Sequence, residues 1–316
     1  MQSDSAAPPA AASESASTPS DRAADSPLCV FFGHHKCATS WITEILMEAS
    51  FRLGQHLEIV HGPADFDDHD DLGHFVNKRD VDVLAYTNAN DVHARALPPM
   101  RGFHVVRDPR DVLVSAYFSH LHSHPTDNWP ELVEHRDRLQ SMSKEDGLMR
   151  EMDFSEPAFD DMNTWDYDRS DVMELKLETL SPAPEAGFTK VFSFMNMLDR
   201  GQTDGMERTA KTIGMAVNRW LYRGRHVLPS MQEAPRVDSW PTLPPETLQT
   251  ILEEKSFERM SGGREKGEED VTDHFRKGVP GDWKNHFTEE HVSAFKDRYN
   301  DLLLKLGYEE DADWTA

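Results

Sequence analysis

Short apolar runs alternate with segments of helical spacing through the first half of the chain, and this alternation predicts its fold. The runs have the length and the β-branched and aromatic content of buried strands, and they occupy residues 28–32, 57–60, 81–86, 102–106 and 172–176. A helix is predicted after the first run, over residues 39–49, and another after Asp108, an N-cap residue that precedes Pro109. This order predicts an α/β fold in which helices flank a parallel sheet and ligands bind beyond the carboxyl ends of the strands.

The second half of the chain has more helical patterns than strands. Helices are predicted over residues 186–198, 206–221, 245–257 and 288–306. Residues 129–161 are polar and helix-prone, and we expect them to form a lid or an acceptor pocket rather than core. Residues 261–284 form a predicted loop that is rich in glycine and charge, and such loops commonly carry function.

A chain of 316 residues can bury one large core with a helical elaboration. We therefore expect one domain over residues 27–308, followed by a short acidic tail at 309–316. Residues 1–26 are rich in Ala, Ser, Pro and Asp and have too little apolar surface to offset the entropy of ordering. They are predicted to be a disordered tail, and they lack the features of a signal peptide.

Composition narrows the location and the partners. No stretch approaches the roughly 18 apolar residues of a membrane span, and Cys29 and Cys37 suit a reducing compartment, so we expect a cytoplasmic protein. The formal net charge of −24 opposes general binding to nucleic acid or to a membrane surface. The acidic residues 65–71 do not fit a calcium-binding loop and are interpreted as a solvated loop. In such an acidic chain, clustered cations indicate places where an anion is held.

The first cluster lies in residues 33–41, between the first predicted strand and its helix. Backbone N–H groups at the helix N-terminus, the Lys36 ammonium and the hydroxyls of Thr39 and Ser40 would converge there on a phosphate-like group. The loop does not fit the Walker pattern, because Lys36 follows Gly33 by three residues and no second glycine precedes it. This spacing disfavours an ATPase or a kinase.

Two further clusters come later in the chain. Arg107 is expected at a strand end and Ser115 two turns into the next helix, where both could face one anion. The alternative is that Arg107 pairs with a neighbouring carboxylate and Ser115 is a packing residue. In the third cluster, Arg276, Lys277 and Gly278 allow side chains and backbone to close together around a phosphate.

Together these stretches resemble the family of sulfotransferases that use 3′-phosphoadenylyl sulfate (PAPS). The family motif for the 5′-phosphosulfate matches Lys36, Thr39, Ser40 and Trp41, and the motif for the 3′-phosphate matches Arg107, Asp111 and Ser115. The element that begins Arg-Lys-Gly matches residues 276–284, and residues 177–180 give a weaker match. The resemblance implies a P-loop-like fold, PAPS as co-substrate without a metal, and a role for Lys36 on the leaving oxygen. From its position in the motif, Trp41 is expected to stack on adenine, and the alternative is a core anchor.

The loop departs from the family at two positions. The family more often has Ser or Gly at the position of Cys37 and Gly at the position of Ala38. An alanine narrows the dihedral angles open to the loop without abolishing the cradle. The doublet of His34 and His35 lies in the same loop, and we expect one of the two to face the ligand.

The catalytic base is the largest departure. Cytosolic members of the family place a histidine after the strand that corresponds to residues 81–86, and none stands there. Members that resemble heparan-type and bacterial enzymes use a glutamate, which the spacing assigns to Glu58. His56 and His61 flank it and could accept a proton equally well, while the alternative for all three is solvation of a strand edge.

A histidine pair later in the chain allows a metal site to be considered. His120 and His124 are one helical turn apart, but no carboxylate or cysteine accompanies them at ligand spacing. We therefore expect this segment to line an acceptor cleft.

The sequence thus predicts a sulfotransferase that moves a sulfuryl group from PAPS in line to a hydroxyl or an amine. The acceptor is expected to be a small molecule, a lipid precursor or a carbohydrate, and the oligomeric state stays open. A catalytically silent nucleotide-binding protein is the first alternative, motivated by the missing histidine. A nucleotide kinase, which would require magnesium, is the second.

Overall fold

A parallel sheet of five strands lies at the centre of the computed structural model, which describes residues 27–127, 129–199, 201, 205–227 and 242–316. The strands are β1 (Leu28–Gly33), β2 (Leu57–Val60), β3 (Val83–Tyr86), β4 (Met100–Val106) and β5 (Val172–Lys176), in the order β2-β3-β1-β4-β5. Phe32 of β1 pairs with Tyr86 on one side and His104 on the other, so the central strands end at one edge. The predicted parallel sheet is confirmed. The predicted tail at 1–26 lies outside the described residues.

Helices pack on both faces of this sheet. They are α1 (Thr39–Leu53), α2 (Leu72–Lys78), α3 (Asp91–Ala94), α4 (Pro109–Phe118), α5 (Pro130–Gln140), α6 (Lys144–Phe154), α7 (Glu156–Thr164), α8 (Leu177–Leu180), α9 (Pro184–Phe194), α10 (Gly205–Val227), α11 (Pro245–Glu254), α12 (Phe257–Met260) and α13 (Glu289–Leu306). A π-helical turn, Ser119–Ser123, continues α4. No helix within the described ranges is both long enough and apolar enough to cross a membrane.

Alternation along the strands divides the core between the two faces of the sheet. On one face, Phe31 stacks on Phe103 at 5.0 Å and meets residues of α1, α9 and α11. On the other face, Phe32 packs against Trp165 at 4.9 Å. Each fully buried phenylalanine contributes about 1.5–3 kcal/mol relative to exposure, which holds the central strand in place.

Residues 129–161 contribute to the hydrophobic core. The expectation that they form a lid or an acceptor pocket rather than core is therefore wrong. Its helices α5, α6 and α7 bury one apolar face each, through Leu139, Leu148, Met152 and Phe159, against α4 and α13. The polar residues occupy the opposite faces. A helix can have a polar composition and still bury a stripe at helical spacing.

The acidic residues 309–316 pack on the domain rather than extend from it. Glu309 accepts a hydrogen bond from Arg110 at 2.5 Å, and the buried Trp314 lies with its ring 4.6 Å from the same guanidinium. The Trp314 indole N–H donates to Asn300 on α13. The C-terminal segment therefore helps to fix α4, which carries part of the candidate site.

Candidate active site

The loop between β1 and α1 turns sharply enough to aim its backbone at one point. Gly33 begins it, and an added Cβ there would lie 2.7 Å from the side chains of Phe31 and Thr39. Lys36 and Ala38 both have positive φ, 62° and 59°, a conformation that costs a non-glycine residue about 1–2 kcal/mol. Ala38 is the N-cap of α1 and offers no side-chain acceptor, so the first N–H groups of α1 stay available to an anion.

The three cationic clusters come together at this loop. The Arg107 guanidinium donates to the Lys36 carbonyl at 3.2 Å. His274, two residues before Arg276 and counted here with the third cluster, lies 3.0 Å from the Ser40 hydroxyl. Asp111 on α4 accepts from the backbone N–H groups of Gly281 at 2.6 Å and Trp283 at 3.0 Å. Stretches that are far apart in the chain therefore form one site at the carboxyl end of the sheet.

Lys36 lies in a field of positive charge. Burial, together with the charges of Arg107 and Arg276, lowers its pKa to about 7 against the opposing effect of Glu151. Burial and neighbouring cations lower the pKa of a lysine in this way when no anion compensates its charge. An anionic ligand at the loop would restore the ammonium form.

Arg107 and Ser115 are positioned as their spacing predicts, one at the end of β4 and the other in the second turn of α4. Within the described ranges, Arg107 forms no ion pair with a carboxylate, so the alternative of a local ion pair does not account for it. The adjoining turn is fixed because Glu178 accepts from the Asp108 N–H at 2.9 Å and from the Tyr308 hydroxyl at 2.8 Å. This leaves the Arg107 guanidinium directed at the loop.

The third cluster is built around the buried carboxylate of Asp282. It accepts from Arg276 at 2.6 Å and from Lys277 at 2.5 Å, and the Arg276 guanidinium also lies 4.7 Å from the Phe118 ring. Burial alone would raise the pKa of Asp282, but these hydrogen bonds and those from His286 and Asn285 hold it well below its usual range. Arg276 and Lys277 are thus oriented by internal ion pairs, and their contact with a phosphate stays a prediction.

Gly278 is required where it stands. Its φ is 71°, and an added Cβ would lie 2.6 Å from the Phe257 ring. The backbone of the cluster can therefore turn here only without a side chain.

Trp41 is engaged with the protein at its edge. Its indole N–H donates to the Lys255 carbonyl at 2.8 Å, and its ring meets Phe188 edge to face at 5.5 Å. These contacts are those of a packing anchor, and stacking on adenine stays a prediction.

Two of the candidate bases contact each other near the amino end of β2. The carboxylate of Glu58, the second residue of β2, lies 3.1 Å from Nε2 of His56, which precedes β2, and 3.1 Å from the guanidinium of Arg79, which precedes β3. His56 is fixed there by a hydrogen bond from its backbone N–H to Asp82. Glu58 and His56 therefore lie toward the amino end of the edge strand β2, and their assignment as the base stays a prediction.

His61 stands at the correct end of the sheet. It follows β2, and its Nδ1 lies 2.8 Å from the Thr87 hydroxyl at the end of β3. It stays a candidate on position alone.

His34 connects the loop to the protein interior through a buried chain of hydrogen-bonded polar groups. Its Nε2 lies 2.8 Å from His104 Nε2, and His104 Nδ1 lies 2.6 Å from Glu174, which accepts from the Trp165 indole at 3.0 Å. Burial and the neighbouring His104 hold the pKa of His34 well below its usual value, and burial raises the pKa of Glu174 to about 7. His34 therefore faces the interior.

His35 points to the other side and begins a second chain. Its Nε2 lies 2.9 Å from His120 Nε2, and His120 Nδ1 lies 2.9 Å from Glu151. Glu151 also meets His135 Nε2 at 2.8 Å and accepts from the Ser155 hydroxyl at 2.8 Å. Nothing local in the sequence signals these contacts, since 85 residues separate the two histidines and 31 separate His120 from Glu151.

The argument against a ligand set at His120 therefore needs correction, because a carboxylate does accompany it. The ligand atoms of His120, His135 and Glu151 lie within 4.8 Å of one another. The three hydrogen bonds to Glu151 satisfy the buried carboxylate without an ion, and we describe the group as a hydrogen-bonded network.

Comparison with known proteins gives one family match. Residues 237–307 match the model of the sulfotransferase domain, a range that contains the third cluster and α13. No curated protein matches the chain in sequence.

Solved structures give distant likenesses. A mouse sulfotransferase, SULT7A1, complexed with PAP is 15% identical, covers 88% of this chain and 85% of its own, and has a TM-score of 0.48. Retinol dehydratase with androsterone and inactive cofactor PAP is 15% identical over 92% of this chain and 84% of its own, with a TM-score of 0.42. Its complex with retinol and PAP is 15% identical over 92% and 85%, with a TM-score of 0.44.

Proposed function

We propose that this chain, which belongs to the sulfotransferase family, transfers a sulfuryl group from PAPS to a hydroxyl or an amine of an acceptor. The observation that carries the proposal is the convergence of Lys36, Arg107 and the third cluster on the uncapped N-terminus of α1. These groups lie at the carboxyl end of a parallel sheet, where ligands of such folds bind.

The donor has two anionic ends, and the site has a group for each. The 5′-phosphosulfate would lie in the loop against Lys36, Thr39, Ser40 and the first N–H groups of α1, where the helix dipole favours an anion. The 3′-phosphate would lie between Arg107, Ser115 and residues 276–278. The hydrogen bond from Arg107 to the Lys36 carbonyl fixes the distance between the two ends.

The chemistry asks for position and charge stabilisation more than for covalent help. An acceptor oxygen or nitrogen attacks sulfur, and the bond from sulfur to the bridging oxygen breaks in line with it. The electron pair of that bond stays on the departing 5′-phosphate. The Lys36 ammonium stabilises the charge that develops there.

The surroundings of the loop suit a small acceptor. Trp129, His124 and the end of α4 lie on the side of the loop toward which His35 points. The acidic chain disfavours an anionic polysaccharide, so we propose a small molecule, a lipid precursor or a neutral carbohydrate. The low cysteine content, two residues in the whole chain, is in keeping with a cytoplasmic location.

The test is transfer of ³⁵S from labelled PAPS to a panel of phenols, alcohols, amines and sugars, with products identified by mass spectrometry. The proposal expects a sulfated product with at least one acceptor class and release of adenosine 3′,5′-bisphosphate (PAP). Nucleotide binding without transfer to any acceptor would instead identify a catalytically silent binding protein. Preference for ATP with Mg²⁺ would favour a kinase.

A further inference from the structure

The hydrogen-bonded network behind His35 determines which of its nitrogens carries a proton. Burial would raise the pKa of Glu151, but His120 and His135 beside it hold the pKa below its usual value, so the carboxylate is ionised. A carboxylate only accepts hydrogen bonds, and His120 therefore carries its proton on Nδ1. The relay requires His120 to be neutral in the resting site, and its lone pair then lies on Nε2. His35 donates to it from its own Nε2, 2.9 Å away.

This tautomer leaves the lone pair of His35 on Nδ1. Within the part of the chain that the structure describes, no group hydrogen-bonds to this nitrogen, and the side chain is partly exposed. His35 is adjacent in the chain to Lys36, the residue assigned to the leaving oxygen. Its ring lies 5.3 Å from the His124 ring and 6.0 Å from that of Trp129, on the side proposed for the acceptor.

We propose that His35 is the general base of the transfer and that His120 and Glu151 form a proton relay behind it. The inference rests on the proposed sulfotransferase function. The acceptor O–H proton passes to His35 Nδ1 as the oxygen lone pair forms the bond to sulfur. The bond from sulfur to the bridging oxygen breaks, and its electron pair leaves with PAP. The proton on His35 Nε2 passes to His120 Nε2, which leaves an imidazolium against the Glu151 carboxylate.

The charges around His35 explain why a relay is needed. Burial lowers the pKa of His35 well below its usual value, and His120 and His124 beyond α4, Lys36 in the loop and His274 in the third cluster lower it further. A positive charge that stays on His35 is therefore unfavourable. Transfer of the Nε2 proton moves this charge to His120, which the buried Glu151 carboxylate faces at 2.9 Å.

The contacts of His61 contain no such arrangement. Its ring is hydrogen-bonded to the Thr87 hydroxyl and, within the described ranges, to no carboxylate. An orienting carboxylate is what holds a catalytic histidine in one tautomer. The two histidines make opposite predictions for the same variants.

The first test uses the release of ³⁵S-sulfate from labelled PAPS with water as the acceptor, under single-turnover conditions. His35→Ala is expected to lower the rate about 100- to 10,000-fold, as for loss of a general base, while PAP affinity by calorimetry stays within about threefold. Added imidazole should restore part of the rate in His35→Ala, which a merely structural defect would not allow. His74→Ala, at an exposed histidine of α2 outside the proposed site, is the matched control and should keep the wild-type rate.

Glu151→Gln tests the relay as a positioning element. It should lower the rate and change its pH profile, because an amide fixes the His120 tautomer less firmly, while PAP still binds. A wild-type rate and pH profile in Glu151→Gln would overturn the relay, and a wild-type rate in His35→Ala would overturn the base. Failure of the wild type to bind PAP would instead refute the proposed function.

The second test needs no acceptor. Long-range ¹H–¹⁵N spectra of protein labelled at histidine, assigned with His35→Ala and His120→Asn, report which ring nitrogens carry protons. The proposal expects the proton of His35 on Nε2 and that of His120 on Nδ1. A proton on His35 Nδ1 in the resting protein would overturn it.

Discussion

Binding of PAP should be accompanied by uptake of a proton, because the pKa of Lys36 in the resting site is about 7 and part of the lysine is uncharged. The perturbation is pH, varied between about 7 and 9, together with the variant Lys36→Arg. A pKa of about 7 leaves about half of the lysine charged at pH 7 and about one tenth at pH 8. A bound phosphate favours the ammonium form, so PAP should bring in about 0.5 proton at pH 7 and about 0.9 at pH 8.

The same equilibrium sets the pH dependence of affinity. If only the ammonium form binds well, the apparent Kd should rise about fifty-fold between pH 7 and pH 9. Titration of the ligand contributes little to this pH dependence of Kd, since a phosphate monoester loses its second proton near about pH 6. His124 and His274 do not titrate in this range either, because burial lowers the pKa of each to about 4.

Calorimetry in two buffers with different ionisation enthalpies measures the proton uptake directly. Lys36→Arg should show almost none, since a guanidinium stays charged throughout this range. Wild-type uptake near zero at about pH 8, or uptake that persists in Lys36→Arg, would refute the assignment of Lys36 to the phosphate.

Further predictions concern the loop and the clusters around it. Ala38→Gly should raise the free energy of unfolding in urea by about 1 kcal/mol, because φ of 59° is strained for alanine; an unchanged or lower value would contradict this. Gly278→Ala should destabilise more than Gly262→Ala by about 1–3 kcal/mol, since φ is similar, at 71° and 75°, but only the first meets a ring; equal losses would contradict the contact. Asp282→Asn should lower the free energy of unfolding in urea by about 3 kcal/mol because it removes the buried carboxylate that pairs with Arg276 and Lys277; wild-type stability would argue against the ion-pair network. In the wild type this contribution should be present above about pH 4, the unfolded pKa, and should be lost as the pH falls below it.

The parts of the site that could be predicted are those set by local spacing. Gly33, Lys36 and Thr39 belong to one strand–loop–helix unit, and Arg107 and Ser115 to another, so each cluster forms from residues a few positions apart. Parallel strands then bring the units to one edge without further information from the sequence.

The contacts of the candidate bases could not be predicted in this way. Glu58 lies two residues before the end of β2, and its direction depends on Arg79 and His56, which spacing along the strand does not reveal. The partners of His35 come from α6 and from the turn after α4, so only tertiary structure brings them together. The contribution of residues 129–161 to the core was not predicted, because the composition of the segment is polar overall while one apolar face of each helix is buried.

The central claim is that the site binds both the 3′-phosphate and the 5′-phosphate of one nucleotide. Calorimetric titration of the wild type with PAP and with adenosine 5′-phosphate, which lacks the 3′-phosphate, tests it most directly. The account predicts that PAP binds at least about tenfold more tightly, because a hydrogen-bonded charge contributes about 1.5–3 kcal/mol, and that Arg107→Ala removes this preference. Equal affinity for the two nucleotides in the wild type, or tighter binding of ATP with Mg²⁺ than of PAP, would contradict it.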